Sequence, residues 1–444
     1  MNQPSKPLVA VIGAGPSGLY AAQQLAKSGV ETVIFNRDIK IGGLAEYGIY
    51  PEKHKIRRGL ISQFQEIINM DEITYYGNVL IREDGDLRFK DLLELGFDAI
   101  VVATGAQWNR WLLLPGENLA GVFYAKDVVY HYNGLPPYSN MDFPIGEKVI
   151  IIGMGNVSLD LARFLTSERK VQEITAVARR GPGEIKFTQQ ELEAVAAHLD
   201  LPEITHEIQS FAPLMESLGQ KPEDVLKMIE GAMNKAAPRA SETRFTLRFL
   251  LSPVEILGNE AGKVTGIRFE KNTLIQKEED VAAQGTGEFE TIDADTVLFS
   301  IGNRVDGQFG IPVKNYSYCK NPSPKFPIKG VSYEICKEND APLENVFVVG
   351  WARQASVGLV GLARKDSIQG AKAVLQYLNT LPSYKATTLE EIDRRMSQIG
   401  KPVVRKADLT RLNQIETEKA QELGLEEFKY KSNQEMLRAI GLIS

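Results

Sequence analysis

The hydrophobic pattern of the chain begins with a short apolar run, then glycines, then a helical pattern. Leu8 to Ile12 is apolar throughout, which predicts a strand buried on both faces. Gly13 to Gly18 predicts a tight turn, and Leu19 to Lys27 predicts a helix. The segment Glu31 to Phe35 then predicts a second short strand, so the first 35 residues form a βαβ unit.

The predicted turn has the spacing G-x-G-x-x-G between a strand and a helix. Gly13 permits the turn, Gly15 lets a pyrophosphate approach the backbone, and Gly18 lets the helix and the strand pack closely. Pro16 and Ser17 belong to the turn, and phosphate oxygens would meet the free N–H groups at the N terminus of the helix that follows. The pattern predicts a dinucleotide site, and the alternative is an ordinary loop that binds no phosphate.

The same pattern returns at residue 148. Lys148 to Ile152 predicts a buried strand, Gly153 and Gly155 occupy the first two glycine positions, and Ser158 occupies the third, where a small residue still allows close packing. Two such units in one chain are far more specific than one. They predict one site for a flavin dinucleotide and one for a pyridine nucleotide, which is what hydride transfer between the two requires.

The ends of the second strands differ between the two units. An NAD site places an acid there, which binds the adenosine ribose hydroxyls. The first unit has Asn36 at this position, and the second has Arg179 and Arg180. A pair of guanidinium groups suits a 2'-phosphate and favours NADP, although a solvated basic turn is the alternative.

Length, charge and cysteine spacing argue against several classes of protein. The 444 residues predict two or three domains, and the net charge of -6 argues against nucleic acid as the main partner. No apolar run approaches the roughly 20 residues of a membrane helix, and the first residues lead directly into a strand, so we expect a cytoplasmic protein without a membrane span. Cys319 and Cys336 form no C-x-x-C motif, which does not indicate a redox-active disulfide, an iron–sulfur cluster or a zinc site. The four histidines show no metal-binding spacing, so we expect no metal site.

Taken together, these segments and others along the chain resemble the adrenodoxin-reductase-like family of ferredoxin-NADP reductases. These are FAD flavoproteins that pass electrons between NADPH and a small iron–sulfur protein. The resemblance spans nearly the whole chain, and its matching stretches are Val11 to Gly18, Gly43-Leu44 with Tyr47 to Ile49 and Pro51, Ala103 to Ala106 with Gly105, Pro115 to Glu117, Tyr132 to Pro136, Gly153 to Asp160, Arg179 to Pro182, Phe187-Thr188 with Glu191-Leu192, Ser300 to Gly302, Gly350-Trp351, Gly358, Asp366-Ser367 and Gln434 to Leu437.

The resemblance implies a set of site residues. For FAD it implies contacts from the glycine turn and from Ser17, Asn36, Gly43, Leu44, Ile81, Gly105, Gly350, Trp351, Gly358, Leu359 and Val360. For NADP it implies contacts from Gly153, Met154, Gly155, Asn156, Val157, Arg179, Arg180, Glu191 and Gly358. Trp351 would shape the nicotinamide pocket over the flavin, and Glu191 would lie near the nicotinamide ribose; these two are the candidate catalytic residues.

The resemblance also implies an α/β architecture of two Rossmann-like domains. The NADP domain, residues 107–299, is inserted in an FAD domain made of residues 1–106 and 300–444, which ends in a helical tail. Two chain crossings near Gly105 and Gly302 would join the domains. Lys235, Arg239, Arg244 and Arg248 have few acids close by in the sequence; they are candidates for docking an acidic ferredoxin or, equally, a solvated face.

The resemblance therefore implies an FAD-dependent ferredoxin-NADP reductase that uses FAD and NADP. Its partner would be a ferredoxin or a similar acidic iron–sulfur protein, or a flavodoxin in its place. Two alternatives stay open at this stage. The chain could be the flavoprotein input subunit of a larger redox complex, or a nucleotide-responsive binding protein without turnover.

Overall fold

A computed structural model describes residues 6–277, 280–355, 358, 360–385 and 387–444. The strands, in chain order, are β1 (Leu8–Ile12), β2 (Glu31–Phe35), β3 (Ile73–Tyr76), β4 (Ala99–Val102), β5 (Trp108–Asn109), β6 (Val122–Tyr124), β7 (Lys148–Ile152), β8 (Glu173–Val177), β9 (Arg244–Arg248), β10 (Leu251–Gly258), β11 (Val264–Lys277), β12 (Asp280–Asp293), β13 (Thr296–Phe299), β14 (Asn303–Arg304), β15 (Val313–Lys314), β16 (Ser317–Tyr318), β17 (Glu334–Cys336) and β18 (Pro342–Val348).

The α-helices, in chain order, are α1 (Pro16–Ala26), α2 (Leu44–Tyr47), α3 (His54–Ile68), α4 (Phe89–Glu94), α5 (Ala125–Tyr132), α6 (Asn156–Phe164), α7 (Gln189–Glu193), α8 (Leu201–Ser210), α9 (Ala212–Ser217), α10 (Pro222–Met233), α11 (Val360–Leu378), α12 (Leu389–Ser397), α13 (Lys406–Glu422) and α14 (Asn433–Ala439). A π-helical turn, Leu165–Arg169, extends α6, and 3₁₀ turns include Pro51–Lys53, Pro182–Glu184 and Gly350–Ala352. No helix among the described ranges is long and apolar enough to cross a membrane.

The chain divides into two compact units. Unit 1 contains the chain up to Asn109, Tyr130–Asn140 and Gly302–Ser444, and unit 2 contains Arg110–Val129 and Met141–Ile301. Residues 130–140 belong to unit 1, although the domain bounds predicted from the sequence placed them in the NADP domain. Contacts within unit 1 explain this difference, because Tyr130 and Leu135 pack with Tyr47 in one apolar cluster.

Unit 1 is built on a six-stranded sheet of order β17-β18-β4-β1-β2-β3. Only β17 and β18 pair antiparallel, and every other neighbouring pair is parallel. Val9 and Val11 of β1 enter the apolar cluster on one face, whereas Ala10 and Ile12 enter the cluster on the other. Both faces are therefore covered, as the continuous apolar run of β1 predicts.

Unit 2 contains a five-stranded parallel sheet of order β6-β13-β7-β8-β9. A second, antiparallel sheet of order β10-β11-β12 covers one face of it, with Ile267 and Phe269 of β11 in the same apolar cluster as Ile150 and Ile152 of β7. The two parallel sheets confirm the predicted α/β class with two Rossmann-like units, the second inserted in the first.

The C-terminal helices pack on unit 1. Leu409 and Leu412 of α13 and Met436 and Leu437 of α14 lie in the cluster that covers one face of its sheet. These helices confirm the predicted helical tail.

Cys319 and Cys336 form a disulfide with their Cα atoms 5.5 Å apart. The local sequence does not indicate this bond, because 17 residues separate the two cysteines. Backbone pairing brings them together: the Cys336 N–H donates to the Cys319 carbonyl at 3.1 Å. Both residues are buried.

Candidate functional site

The first glycine turn follows β1, which lies between β4 and β2 with Ile12 opposite both Val102 and Phe35. Gly13 has a φ of 105°, and a Cβ there would lie 2.6 Å from the Ala103 carbonyl oxygen. Gly18 is also required, because its Cβ would overlap the carbonyl group of Gly13. The strand order reverses on either side of β1, and such switch points are where α/β sheets bind their ligands.

Gly15 caps the N terminus of α1, and Pro16 is the first residue of that helix. A Cβ on Gly15 would meet no atom within 4 Å, whereas a Cβ on Gly43 would lie 3.1 Å from the Gly15 Cα. The glycine-rich loop before α2 therefore runs against the turn and leaves one side of Gly15 open. The backbone, the open side and the helix N terminus fit a pyrophosphate.

Asn36 is 7% exposed and connects separate backbone segments. Its Oδ1 accepts a hydrogen bond from the Ala14 N–H at 3.0 Å, and its Nδ2 donates to the carbonyls of Asp38 at 2.9 Å and Lys40 at 3.0 Å. A carboxylate could not donate to those carbonyls, which explains why an amide occupies the position of the usual acid. The structure thus gives Asn36 a role in fixing the glycine turn, beyond the ribose contact predicted from the sequence.

The Gly350–Ala352 turn lies beside the first turn of α1. Gly350 has a φ of 64°, and a Cβ there would overlap Ser17 Oγ and lie 2.6 Å from Ser17 Cβ. The Gly350 N–H donates to Asp366 Oδ2 at 2.6 Å, and the buried Arg353 donates to Asp366 Oδ1 at 3.0 Å. Asp366 of α11 thereby holds the turn that carries Trp351, a role that sequence reasoning missed.

The remaining residues predicted for FAD lie in unit 1 at several depths. Trp351 is partly buried against the cluster on one face of the sheet, and Ile81 is a buried member of that cluster. Leu44 begins α2, Gly105 has a φ of 70° just after β4, Gly358 has a φ of 78°, and Val360 begins α11. Leu359 lies outside the described residues.

An ion network joins this site to the C-terminal tail. The ammonium group of Lys40 lies 2.8 Å from Glu46 Oε1 and 2.7 Å from Glu416 Oε2, and that of Lys429 lies 3.0 Å from Glu46 Oε1. Burial alone would raise the pKa of Glu46, but Lys40 and Lys429 outweigh burial and lower it to about 2. The tail is thereby fixed to α2, next to the glycine-rich loop.

The second glycine turn repeats the construction in unit 2. It follows β7, the strand between β13 and β8. Gly153 has a φ of 112°, and a Cβ there would overlap the Ser300 carbonyl. Gly155 caps α6 and its Cβ would meet no atom within 4 Å, while the Ser158 hydroxyl donates to the Gly155 carbonyl. This turn has the same open helix N terminus as the first.

The residues predicted for NADP beside this turn are joined to the segment before α7. The Met154 carbonyl accepts from the Lys186 N–H at 3.3 Å, and Asn156 Oδ1 accepts from the Thr188 N–H at 3.1 Å. Thr188 caps α7 by accepting the Glu191 N–H at 3.3 Å. The structure thus links Glu191 to the glycine turn through Asn156, and leaves Val157 exposed on the first turn of α6.

Arg179 and Arg180 lie in the turn after β8. The backbone around them is held on both sides, since the Leu251 N–H donates to the Ala178 carbonyl at 3.1 Å and the Leu250 N–H donates to the Arg180 carbonyl at 3.2 Å. The Arg179 side chain is exposed and that of Arg180 is partly so. The turn follows the strand next to β7, as a site for the coenzyme's adenosine end requires.

The expectation that the basic run lacks compensating acids is wrong. Arg244 contacts Asp200 at 2.6 Å, Glu173 at 2.8 Å and Glu203 as well. Arg248, Arg239 and Lys235 are paired too, with partners as follows: Glu207 at 3.2 Å and Glu290 at 2.7 Å for Arg248, Glu242 at 3.8 Å for Arg239, and Glu193 at 4.0 Å for Lys235. Most of these acids are distant in sequence, which is why the charge pattern alone did not reveal them.

Comparison with known proteins agrees with this geometry. Residues 7–199 match the family model described as pyridine nucleotide-disulphide oxidoreductase. The chain is 30% identical to the NADPH-ferredoxin reductase FprA of Mycobacterium tuberculosis over 81% of each chain. It is 28% identical to the mitochondrial NADPH:adrenodoxin oxidoreductase of Homo sapiens over 99% of this chain and 93% of the relative. The solved structure of M. tuberculosis FprA in complex with NADPH superposes with a TM-score of 0.81 at 26% identity, covering 98% of this chain and 100% of that one. The chain belongs to the adrenodoxin-reductase-like family of ferredoxin-NADP reductases.

Proposed function

We propose that this chain is an FAD-dependent ferredoxin-NADP reductase, which moves electrons between NADPH and a small iron–sulfur protein. One observation carries the proposal. The chain forms the same glycine turn twice, each time after the strand at the switch point of a sheet. Only in unit 2 do two arginines follow the next strand, β8. Two dinucleotides of different chemistry fit this arrangement.

Unit 1 would bind FAD and unit 2 would bind NADP. The main domain boundaries would lie near residues 106 and 300, and residues 130–140 belong to unit 1. When bound in unit 1, FAD would supply the redox chemistry, namely acceptance of a hydride from NADPH and release of single electrons to the iron–sulfur partner. The chain's own residues would bind and orient the two dinucleotides.

Individual residues take separate parts of this task. The first glycine turn would hold the FAD pyrophosphate, and Trp351, fixed through Gly350 and Asp366, would lie beside the isoalloxazine. The second glycine turn would hold the NADP pyrophosphate, with Glu191 near the nicotinamide ribose and Arg179 and Arg180 on the 2'-phosphate.

The partner would be a ferredoxin or a related acidic iron–sulfur protein, and a flavodoxin is a second possible acceptor. The names of the relatives support this, because FprA is an NADPH-ferredoxin reductase and the human relative acts on adrenodoxin. We place the protein in the cytoplasm; its relatives include both bacterial and mitochondrial proteins.

The coenzyme chemistry is tested by anaerobic spectroscopy of the purified protein. We expect one FAD per chain, released by acid, and full bleaching of the flavin absorbance by one equivalent of NADPH but slow bleaching by NADH. A protein that binds NADPH without bleaching would be a nucleotide-responsive binding protein instead. Constant co-purification with another polypeptide would indicate an input subunit of a larger complex.

A further inference from the structure

The antiparallel sheet of unit 2 ends in a hairpin arm, β11–β12. Both strands are 14 residues long, while β10 pairs only with the first part of β11, as far as Lys271. Beyond Lys271 the arm continues with β12 alone, and the register of the β11–β12 pair shifts between Glu270 and Asn272. Asn272 therefore lies where the arm leaves the three-stranded sheet.

Asn272 contacts the arginine turn directly. Its Nδ2 donates to the Arg179 carbonyl at 2.9 Å and to Ser252 Oγ at 2.9 Å. Its N–H donates to the Leu250 carbonyl at 2.7 Å, and Leu250 in turn donates to the Arg180 carbonyl. Asn272 is only 8% exposed and is therefore shielded from water. Water cannot easily replace the Asn272 amide as the donor to the Arg179 carbonyl.

Two further contacts bind the arm to the same turn. A Cβ on Gly181 would lie 2.9 Å from Leu274 Cδ1, the next residue on the Asn272 face of β11. The guanidinium of Arg180 donates to the Val281 carbonyl at 3.5 Å. The arm thus contacts the turn at three successive residues, 179, 180 and 181.

We propose that Asn272 is the positioning residue for coenzyme specificity. By holding the Arg179 carbonyl, it sets the direction in which the Arg179 and Arg180 side chains leave the backbone, and so aligns both guanidinium groups with the 2'-phosphate of NADPH. NADH lacks that phosphate and gains nothing from the alignment. This inference rests on the proposed function, in which unit 2 binds NADP.

The test compares Asn272→Ala with Asn259→Ala. Asn259 belongs to the connection between β10 and β11, at the opposite end of that strand pair, where its Oδ1 accepts from the N–H groups of Ala261 and Lys263. With ferricyanide as the acceptor, we expect Asn272→Ala to raise KM for NADPH about tenfold, equivalent to about 1.4 kcal/mol. The kcat with NADPH and the kcat/KM with NADH should stay as in the parent, and Asn259→Ala should match the parent throughout.

A double-variant cycle separates this role from a structural one. In an Arg179→Ala, Arg180→Ala background, adding Asn272→Ala should raise KM for NADPH no further, because the aligned groups are already absent. An equal rise in both backgrounds, or an equal loss with NADH, would overturn the inference. If Asn272→Ala folds poorly, Asn272→Ser, which keeps a donor too short to reach both partners, should give the same selective effect.

The two proposals fail in different ways. If the Arg179→Ala, Arg180→Ala protein keeps its preference for NADPH, the placement of the 2'-phosphate in unit 2 is wrong. If that protein loses the preference while Asn272→Ala retains it, only the role of Asn272 is refuted.

Discussion

Replacing Gly350 by alanine would test the contact between the Trp351 turn and the start of α1. Gly350 has a positive φ, and the added methyl group would meet two atoms of Ser17. Rotation about χ1 can move Ser17 Oγ, but Ser17 Cβ, at 2.6 Å from the new methyl, is fixed by the backbone of α1. The Gly350 turn must therefore move away from the helix.

The free-energy cost of the Gly350→Ala substitution has two parts. Placing an alanine in the left-handed region costs about 1 to 2 kcal/mol. The forced displacement resembles overpacking, which costs about 1 to 3 kcal/mol more. If the displaced turn also fits the bound flavin less well by a similar amount, FAD binding should weaken by about 5-fold to 150-fold.

Gly29→Ala provides the matched control. Gly29 also has a positive φ, 78°, but a Cβ there would meet no atom within 4 Å. Both variants should therefore lower the thermal midpoint, while only Gly350→Ala should also lower the FAD content per chain after extensive dialysis. Adding Ser17→Gly to Gly350→Ala removes both obstructing atoms and should restore the FAD content to that of the Ser17→Gly single variant.

Equal thermal midpoints and equal FAD contents for Gly350→Ala and Gly29→Ala would show that the methyl group on residue 350 does not displace the Trp351 turn. The same conclusion would follow if Ser17→Gly failed to restore FAD to the Gly350→Ala protein while being harmless alone. Either result would mean that the turn and the helix do not have to fit closely around the flavin.

Two further predictions concern charge. The pKa of Glu46 falls from 4.5 to about 2 on folding. Since one pKa unit corresponds to about 1.4 kcal/mol, the charged carboxylate contributes about 3 kcal/mol to the free energy of unfolding above pH 4.5. This contribution is lost as the pH falls towards 2. Urea unfolding should therefore show Glu46→Gln less stable than the parent at pH 7, with the gap closing between pH 4.5 and 2; a gap independent of pH would contradict the network. Arg244→Glu would bring a carboxylate against Asp200 and Glu173, so we expect a lower thermal midpoint for unit 2; loss of ferredoxin reduction at unchanged stability would instead restore the docking role.

Features that depend on neighbours in sequence could be predicted. The glycine turns after β1 and β7 could be read from a local pattern of strand, glycines and helix, and Gly18 is required by the nearby Gly13 carbonyl. The atoms that require Gly13 and Gly153 belong to Ala103 and Ser300, which are distant in sequence and follow the adjacent strands. The arginine pair could likewise be read from its place at the end of β8.

Features that depend on tertiary pairing could not be predicted. The use of an amide at Asn36 follows from carbonyls that only the folded loop turns towards it. The role of Asp366 follows from the packing of α11 against a turn 16 residues earlier. Asn272 is 93 residues from the Arg179 carbonyl that it holds, and nothing in its local sequence marks it.

The most direct test of the account is electron delivery to an iron–sulfur protein. The purified protein is reduced anaerobically with one equivalent of NADPH and then titrated with oxidised ferredoxin, while the flavin and iron–sulfur absorbances are followed together. We expect the flavin absorbance to return in full as two ferredoxins are reduced per FAD. This expectation would be contradicted if the reduced flavin were reoxidised by ferricyanide but left unchanged by plant-type ferredoxin, bacterial-type ferredoxin and flavodoxin.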